Sequence, residues 1–205
     1  MISVKICGIT RPEDAALAVE LGARMIGLLF WPQSPRVVDR RRAREIVSGL
    51  PAGVDAVGVF VNQIEEAVEI AHDVGLRAIQ LHGDERPDSY RALVTNAISV
   101  IKAVAVRDES AVRRALDVPE GAEVLLDAHD AVKRGGTGRT IDWSVASAIA
   151  RQRPVILSGG LNADNVIDAI EAVHPAAIDV SSGVESSPGI KDPDKLRSLF
   201  DVLRH

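Results

Sequence analysis

Cysteine occurs once in the 205 residues, as Cys7, so no internal disulfide framework can form and the chain fits a reducing compartment. Long apolar runs are missing too. No stretch approaches the roughly 20 residues needed to cross a bilayer, and the first ten residues, MISVKICGIT, lack the basic region and apolar core of a secretory signal. A cytoplasmic protein with no membrane association is therefore expected. Excess positive charge is also absent. Lys plus Arg number 24 against 29 Asp plus Glu, a net charge of −5, which gives no general attraction to nucleic acid or anionic lipid. Any phosphate must then be held locally, by main-chain amides or a few placed cations. The five histidines show no HxH or HExxH spacing and there is no second cysteine, so no metal site is expected. Neither GxGxxG nor GxxxxGKS/T occurs, which removes the usual dinucleotide and P-loop signals.

What is present is a hydrophobic fraction of 46%, enough for a sizeable core, with 26% charged residues for an ordinary surface. Short β-branched apolar runs alternate with helix-like segments from end to end. The runs are Val4–Cys7, Met25–Phe30, Val54–Val61, Ala78–Leu81, Ser99–Val104, Val124–Asp127, Val155–Leu157 and Ala177–Val180. They are nearly continuous rather than alternating, the pattern of parallel strands buried on both faces. Helix starts are legible at Thr10-Arg11-Pro12-Glu13, which has the form of a capping box, at Asn62-Gln63-Ile64-Glu65, and at Asp192-Pro193. Gly22 and Gly75 sit where helices end. Eight units in 205 residues leave about 26 each, close to the smallest βα module that can cross over. With no long linker, low-complexity segment or domain boundary, the expectation is α/β: a single (β/α)₈ TIM barrel, with residues 1–205 as one domain. A doubly wound open sheet is the runner-up.

In a barrel the site lies at the strand C-termini and in the loops that follow. Ser158-Gly159-Gly160-Leu161-Asn162 follows strand seven and leads to a helix expected near Asn162; Asp179-Val180-Ser181-Ser182-Gly183-Val184-Glu185 follows strand eight. Glycine lets backbone N–H groups approach a ligand, and a helix N-terminus adds partial positive charge. Gly135-Gly136-Thr137-Gly138 after strand six is a third such loop. The phosphate-binding candidates are Gly136, Gly138, Gly159, Gly160, Ser181, Ser182 and Gly183, although such glycines also serve tight turns.

Cys7 ends strand one. A lone cysteine there can be a small core residue, but Lys5, two residues earlier, shares its face and could favour thiolate. Asp127 ends strand six directly after an apolar run, where a buried charge is costly unless paired or used. It could cap a loop, or be held protonated and act as an acid. Arg36 follows Pro32-Gln33-Ser34-Pro35, a stiff loop able to present a guanidinium to a carboxylate, or to solvent. The neighbouring Arg40-Arg41-Arg42 run reads as a solvated helix face. His82 ends strand four and could touch ligand or serve structure.

Taken in order, these segments resemble the phosphoribosylanthranilate isomerase family of tryptophan biosynthesis. The resemblance is carried by Lys5-Ile6-Cys7-Gly8-Ile9-Thr10, Phe30 through Ser34-Pro35-Arg36, Val57-Gly58-Val59-Phe60-Val61-Asn62, Gln80-Leu81-His82-Gly83 and Leu126-Asp127. It continues through Gly135-Gly136-Thr137-Gly138, Asp142-Trp143, Ser158 to Asn162 and Asp179 to Glu185. Ile141 departs from the aromatic common before Asp-Trp. The resemblance implies an Amadori rearrangement of N-(5-phosphoribosyl)anthranilate without a cofactor. In that scheme Asp127 is the general acid, Cys7 the general base and Arg36 the holder of the anthranilate carboxylate. His82 and Asp179 would be further substrate-side residues. The implied partner is a small phosphorylated aminosugar, bound by a monomer or homodimer. A histidine-pathway aminoaldose isomerase would be expected to carry a carboxylate where Cys7 stands. A non-catalytic phosphate-binding barrel is a further alternative; it would keep ligand binding without Cys7 and Asp127. Met1 directly before strand one suggests a free-standing enzyme rather than a fusion to indole-glycerol-phosphate synthase.

Overall fold

Residues 2–95, 98–128 and 141–204 are described in a computed structural model. Eight parallel strands close into a barrel in the order of the chain: β1 (Ser3–Cys7), β2 (Met25–Leu29), β3 (Asp55–Phe60), β4 (Ala78–Leu81), β5 (Ser99–Val106), β6 (Glu123–Ala128), β7 (Val155–Leu157) and β8 (Ala177–Val180). Closure comes from β1 beside β8, with Lys5 in register with Asp179 and Ile6 with Val180. Each predicted run became a strand, its ends moving by two residues at most. The connecting helices are α1 (Pro12–Leu21), α2 (Arg40–Ser48), α3 (Ile64–Val74), α4 (Pro87–Tyr90), α5 (Ser110–Leu116), α6 (Trp143–Ala150), α7 (Val166–Val173) and α8 (Pro193–Val202). A small antiparallel hairpin, β9 (Glu185–Ser187) with β10 (Ile190–Lys191), follows β8. Among the described residues no helix is long and apolar enough to cross a membrane.

Alternation along the strands divides two apolar layers. Inside the barrel, Val57, Ala78, Ile101, Leu125, Ile156 and Ala177 form one cluster. Outside, residues such as Ile6, Ile26, Leu28, Ile79, Val124, Leu126 and Ile178 pack under the helices. Each fully buried Val, Ile or Leu contributes about 1.5–3 kcal/mol by leaving water. Side chains two positions further along a strand share its face, so Gln80, Asp127 and Asp179 stand directly above Ala78, Leu125 and Ala177. They are 1%, 6% and 5% exposed. The barrel therefore has an apolar floor and a polar layer on its C-terminal side, which is where a site can be built.

Two local expectations need correction. Thr10 does not cap α1: its hydroxyl instead donates to the Gly189 carbonyl at 2.5 Å, and Arg11 occupies the cap position without a side-chain bond. The helix after β7 begins at Val166 rather than Asn162, because Asn162 and Asn165 form a side-chain-bonded turn first. Asp192 does cap α8, accepting from the amides of Asp194 and Lys195. Gly75 closes α3 in the left-handed conformation, and Gly22 ends α1 at φ 122°.

Candidate active site

Cys7 lies at the C-terminal tip of β1 and is 7% exposed. Its room is made by Gly27, the paired residue on β2, where a Cβ would stand 2.7 Å from the sulfur. Lys5 is fully buried below it, with Nζ 3.0 Å from Asp179 Oδ1. Burial works against this ammonium, yet Asp179 and Cys7 reverse the effect and leave its pKa above 10.5. The expectation that Lys5 would favour thiolate is only partly met. Burial pushes the Cys7 thiol above 9.0, and the attraction of Lys5 and Lys191 offsets too little of it. Burial likewise raises the Asp179 carboxyl against the pull of Lys5.

Asp127, near the end of β6, points into the mouth and receives His82: Nε2 to Oδ2 is 3.1 Å. The other ring nitrogen, Nδ1, lies 2.9 Å from the side-chain nitrogen of Gln80. His82 is thus hydrogen-bonded on both sides, one of them to the candidate acid. Asp127 also lines a small hollow with Ser158, Gly159, Gly160, Leu161, Asp179, Ser181, Ser182 and Gly183. All the predicted phosphate residues among the described ones therefore converge. Gly183 is required by close approach, since a Cβ there would collide with the Leu161 carbonyl oxygen, and Gly159 adopts φ +95°. Gly136 and Gly138 lie outside the described residues.

Arg36 was expected to face a substrate carboxylate, and it reaches the mouth with part of its fork already engaged. Nε and Nη2 donate to Glu185 Oε1 and Oε2 at 2.9 and 2.7 Å, and the pair is buried. Its amide donates to Ser34 Oγ at 3.1 Å, which fixes the loop. The side chain passes over Gly8, where a Cβ would be 2.6 Å from Arg36 Cδ. Glu185 was not singled out from the sequence. It stands on the hairpin with Lys191, whose ammonium donates to Glu185 at 3.0 Å, to the Ser181 carbonyl at 3.0 Å and to the Cys7 carbonyl at 2.6 Å. Burial alone would raise the Glu185 carboxyl, but Arg36 and Lys191 bring it below 4.5. An acidic residue closing a predicted ligand loop was the available signal; its partner lies 149 residues away. A larger cleft on the barrel flank, between Tyr90, Lys102 and Val118, includes none of Cys7, Asp127 or Arg36. Among the described residues no group of three His, Cys, Asp or Glu side chains is placed to hold a metal ion.

The family model described as N-(5'phosphoribosyl)anthranilate (PRA) isomerase matches residues 4–202. An N-(5'-phosphoribosyl)anthranilate isomerase from Nitrosomonas eutropha is 49% identical, covering 99% of this chain and 97% of the relative. The crystal structure of phosphoribosyl anthranilate isomerase from Thermotoga maritima superposes with a TM-score of 0.92 at 44% identity, covering 100% of this chain and 99% of the other. Another solved phosphoribosyl anthranilate isomerase is in complex with reduced 1-(o-carboxyphenylamino)-1-deoxyribulose 5-phosphate. It matches with a TM-score of 0.89 at 42% identity, covering 100% of this chain and 99% of that one. With a thiol, a carboxyl and two glycine-rich loops gathered at one barrel mouth, and with matches of this extent, the chain belongs to the N-(5'-phosphoribosyl)anthranilate isomerase family.

Proposed function

We propose that residues 1–205 act as one barrel domain that isomerises N-(5-phosphoribosyl)anthranilate to 1-(2-carboxyphenylamino)-1-deoxyribulose 5-phosphate, with Asp127 as acid and Cys7 as base. The observation that carries the assignment of roles is the order of strands around the mouth. β6 bears Asp127 and β1 bears Cys7, and between them stand β7 and β8, whose loops form the candidate phosphate cradle. A phosphate anchored there sets its pentose between the two groups.

The chemistry then needs one acid and one base. Asp127 delivers its proton to the furanose ring oxygen as the bond from that oxygen to C1′ breaks, giving an open-chain iminium. Cys7 takes the proton from C2′, the electron pair passes toward the iminium nitrogen, and the resulting enolamine tautomerises to the ketone. Burial favours the thiol form of Cys7 in the ligand-free protein. The cationic iminium beside it supplies the attraction that favours thiolate when it is needed. Arg36 retains its remaining N–H donors for the anthranilate carboxylate. Glu185 offsets one of the two charges of Arg36 and Lys191, so a bound carboxylate completes the balance. Main-chain amides of Gly159, Gly160 and Gly183, with Ser181 and Ser182, hold the phosphate; Gly136 and Gly138 are assigned there from the sequence. Asp179 acts from below through Lys5. No cofactor enters the scheme, and a cytoplasmic location accords with it.

The test is the decay of substrate fluorescence on conversion. Cys7→Ser and Asp127→Asn should each lower kcat by at least about 10²-fold, the low end for losing an acid or base. Near-normal turnover in either variant removes that residue from its role. Arg36→Ala should chiefly raise KM, and an unchanged KM takes Arg36 out of the carboxylate site.

A further inference from the structure

Gln80 lies in the polar layer of the barrel, 1% exposed, on the same face of β4 as Ala78. Its side-chain nitrogen meets His82 Nδ1 at 2.9 Å, while His82 Nε2 meets Asp127 Oδ2 at 3.1 Å. An amide NH₂ can only donate, so Nδ1 must be the bare, accepting nitrogen. The one proton of the neutral ring then sits on Nε2 and points at Asp127. Turning the amide over would pair Oε1 with an Nδ1–H, bury both amide N–H donors without partners, and set a bare Nε2 against the Asp127 carboxylate. Orphaned N–H groups are rarer than under-satisfied carbonyls. The orphan observed here is the carbonyl: Gln80 Oε1 is buried with no hydrogen-bond partner.

We propose that Gln80 is a positioning residue for the acid: it holds His82 as the Nε2–H tautomer, and that N–H pins Asp127 by Oδ2 so that Oδ1 presents the proton to the substrate. The inference rests on the acid role given to Asp127 above. Among the described residues Oδ1 makes no hydrogen bond, and the carboxyl borders the hollow between the loops of β7 and β8. A neutral donor orients the carboxyl while leaving its second oxygen able to gain and lose a proton. An imidazolium would pair with the carboxylate as an ion and oppose its reprotonation. The charged pair that borders this line, Lys5 with Asp179, is neutral as a unit, so the tautomer is set by the two hydrogen-bond partners of the ring: Asp127 accepts from Nε2–H, and Gln80 is the partner that keeps a proton off Nδ1.

The test reads the ring directly. In ¹⁵N–¹H correlation spectra of the ligand-free protein at neutral pH, the His82 signals are those lost in His82→Asn. They should show Nε2 protonated and Nδ1 bare. An Nδ1–H tautomer or a doubly protonated ring overturns the proposal, whether or not any Gln80 variant folds. Gln80→Glu places an acceptor against Nδ1 and should move a proton there. Its kcat should fall by about 10²-fold, within the range for a misdirected acid or base. Its KM should stay within about threefold of wild type. A moved proton with unchanged kcat, or a change confined to KM, overturns the proposal and leaves the acid role standing. Full turnover in Asp127→Asn instead defeats the acid role, and the ring spectrum is unaffected by that result.

Discussion

Replacing Gly27 by alanine tests how closely the Cys7 sulfur is held. Gly27 pairs with Cys7 across β1 and β2, and an added Cβ would stand 2.7 Å from Sγ, 3.0 Å from Cα and 3.2 Å from Cβ of Cys7. Comfortable contact needs about 3.5–4 Å, so the sulfur must retreat by about 1 Å or turn to another rotamer. Gly27 is not in the left-handed region, so alanine itself meets no backbone penalty. A misplacement of about 1 Å costs about 10²-fold in rate, equivalent to about 2.7 kcal/mol of activation free energy. Overpacking should also cost about 1–3 kcal/mol of stability, with each kcal/mol lowering Tm by about 2–4 °C at this chain length. The assay combines fluorescence-monitored turnover with a thermal melt. Gly58→Ala serves as the control, because its added Cβ would press on Leu76 and Phe60 behind the barrel wall. Gly27→Ala should lower kcat about 10²-fold with KM little changed, whereas Gly58→Ala should lower Tm alone. Equal kcat in the two variants would refute the reasoning, for the fit around the sulfur would then be packing and nothing more.

Glu185→Gln should raise KM about tenfold with a smaller change in kcat, because Arg36 loses the partner that aims it; an unchanged KM would remove Glu185 from that task. The same substitution has a pH signature. The folded-state pKa of Glu185 is below 4.5, so its contribution to stability is present above 4.5 and lost as pH falls through the folded value. The difference in Tm between wild type and Glu185→Gln should therefore narrow on acidification, and a difference independent of pH would contradict the ion-pair account. For catalysis the sign is opposite. Because burial raises the Cys7 thiol, kcat/KM should climb with pH through the alkaline range as thiolate forms, and a profile that stays flat across that range would exclude Cys7 as the group that ionises.

The strands were legible because parallel strands buried on both faces read as short unbroken apolar runs, and Ala78–Leu81, Val155–Leu157 and Ala177–Val180 match residue for residue. Cys7, Asp127, His82 and the loops of β7 and β8 were legible for a related reason: in a barrel, the end of a strand is also an address. Helix starts were less so. Thr10 has the right spacing for a cap but is drawn to Gly189, 179 residues away, by tertiary contact. The same holds for Arg36 with Glu185 and for Lys5 with Asp179, 174 residues apart. Local chemistry names candidates at such positions, and only closure of the barrel decides their partners. Gln80 shows a subtler limit: in the sequence it is one polar residue in an apolar strand, and its meaning depends on which ring nitrogen it faces.

The buried ammonium of Lys191 joins Cys7, Ser181 and Glu185, and so binds the first βα unit to the segment after the last. A growing or refolding chain that has assembled seven units has Cys7 and Asp127 but lacks the clasp that ties the end of β1 to the segment after β8. Turnover should consequently appear only when the final segment docks, which makes activity a reporter of the last event in folding rather than of the amount of barrel already formed.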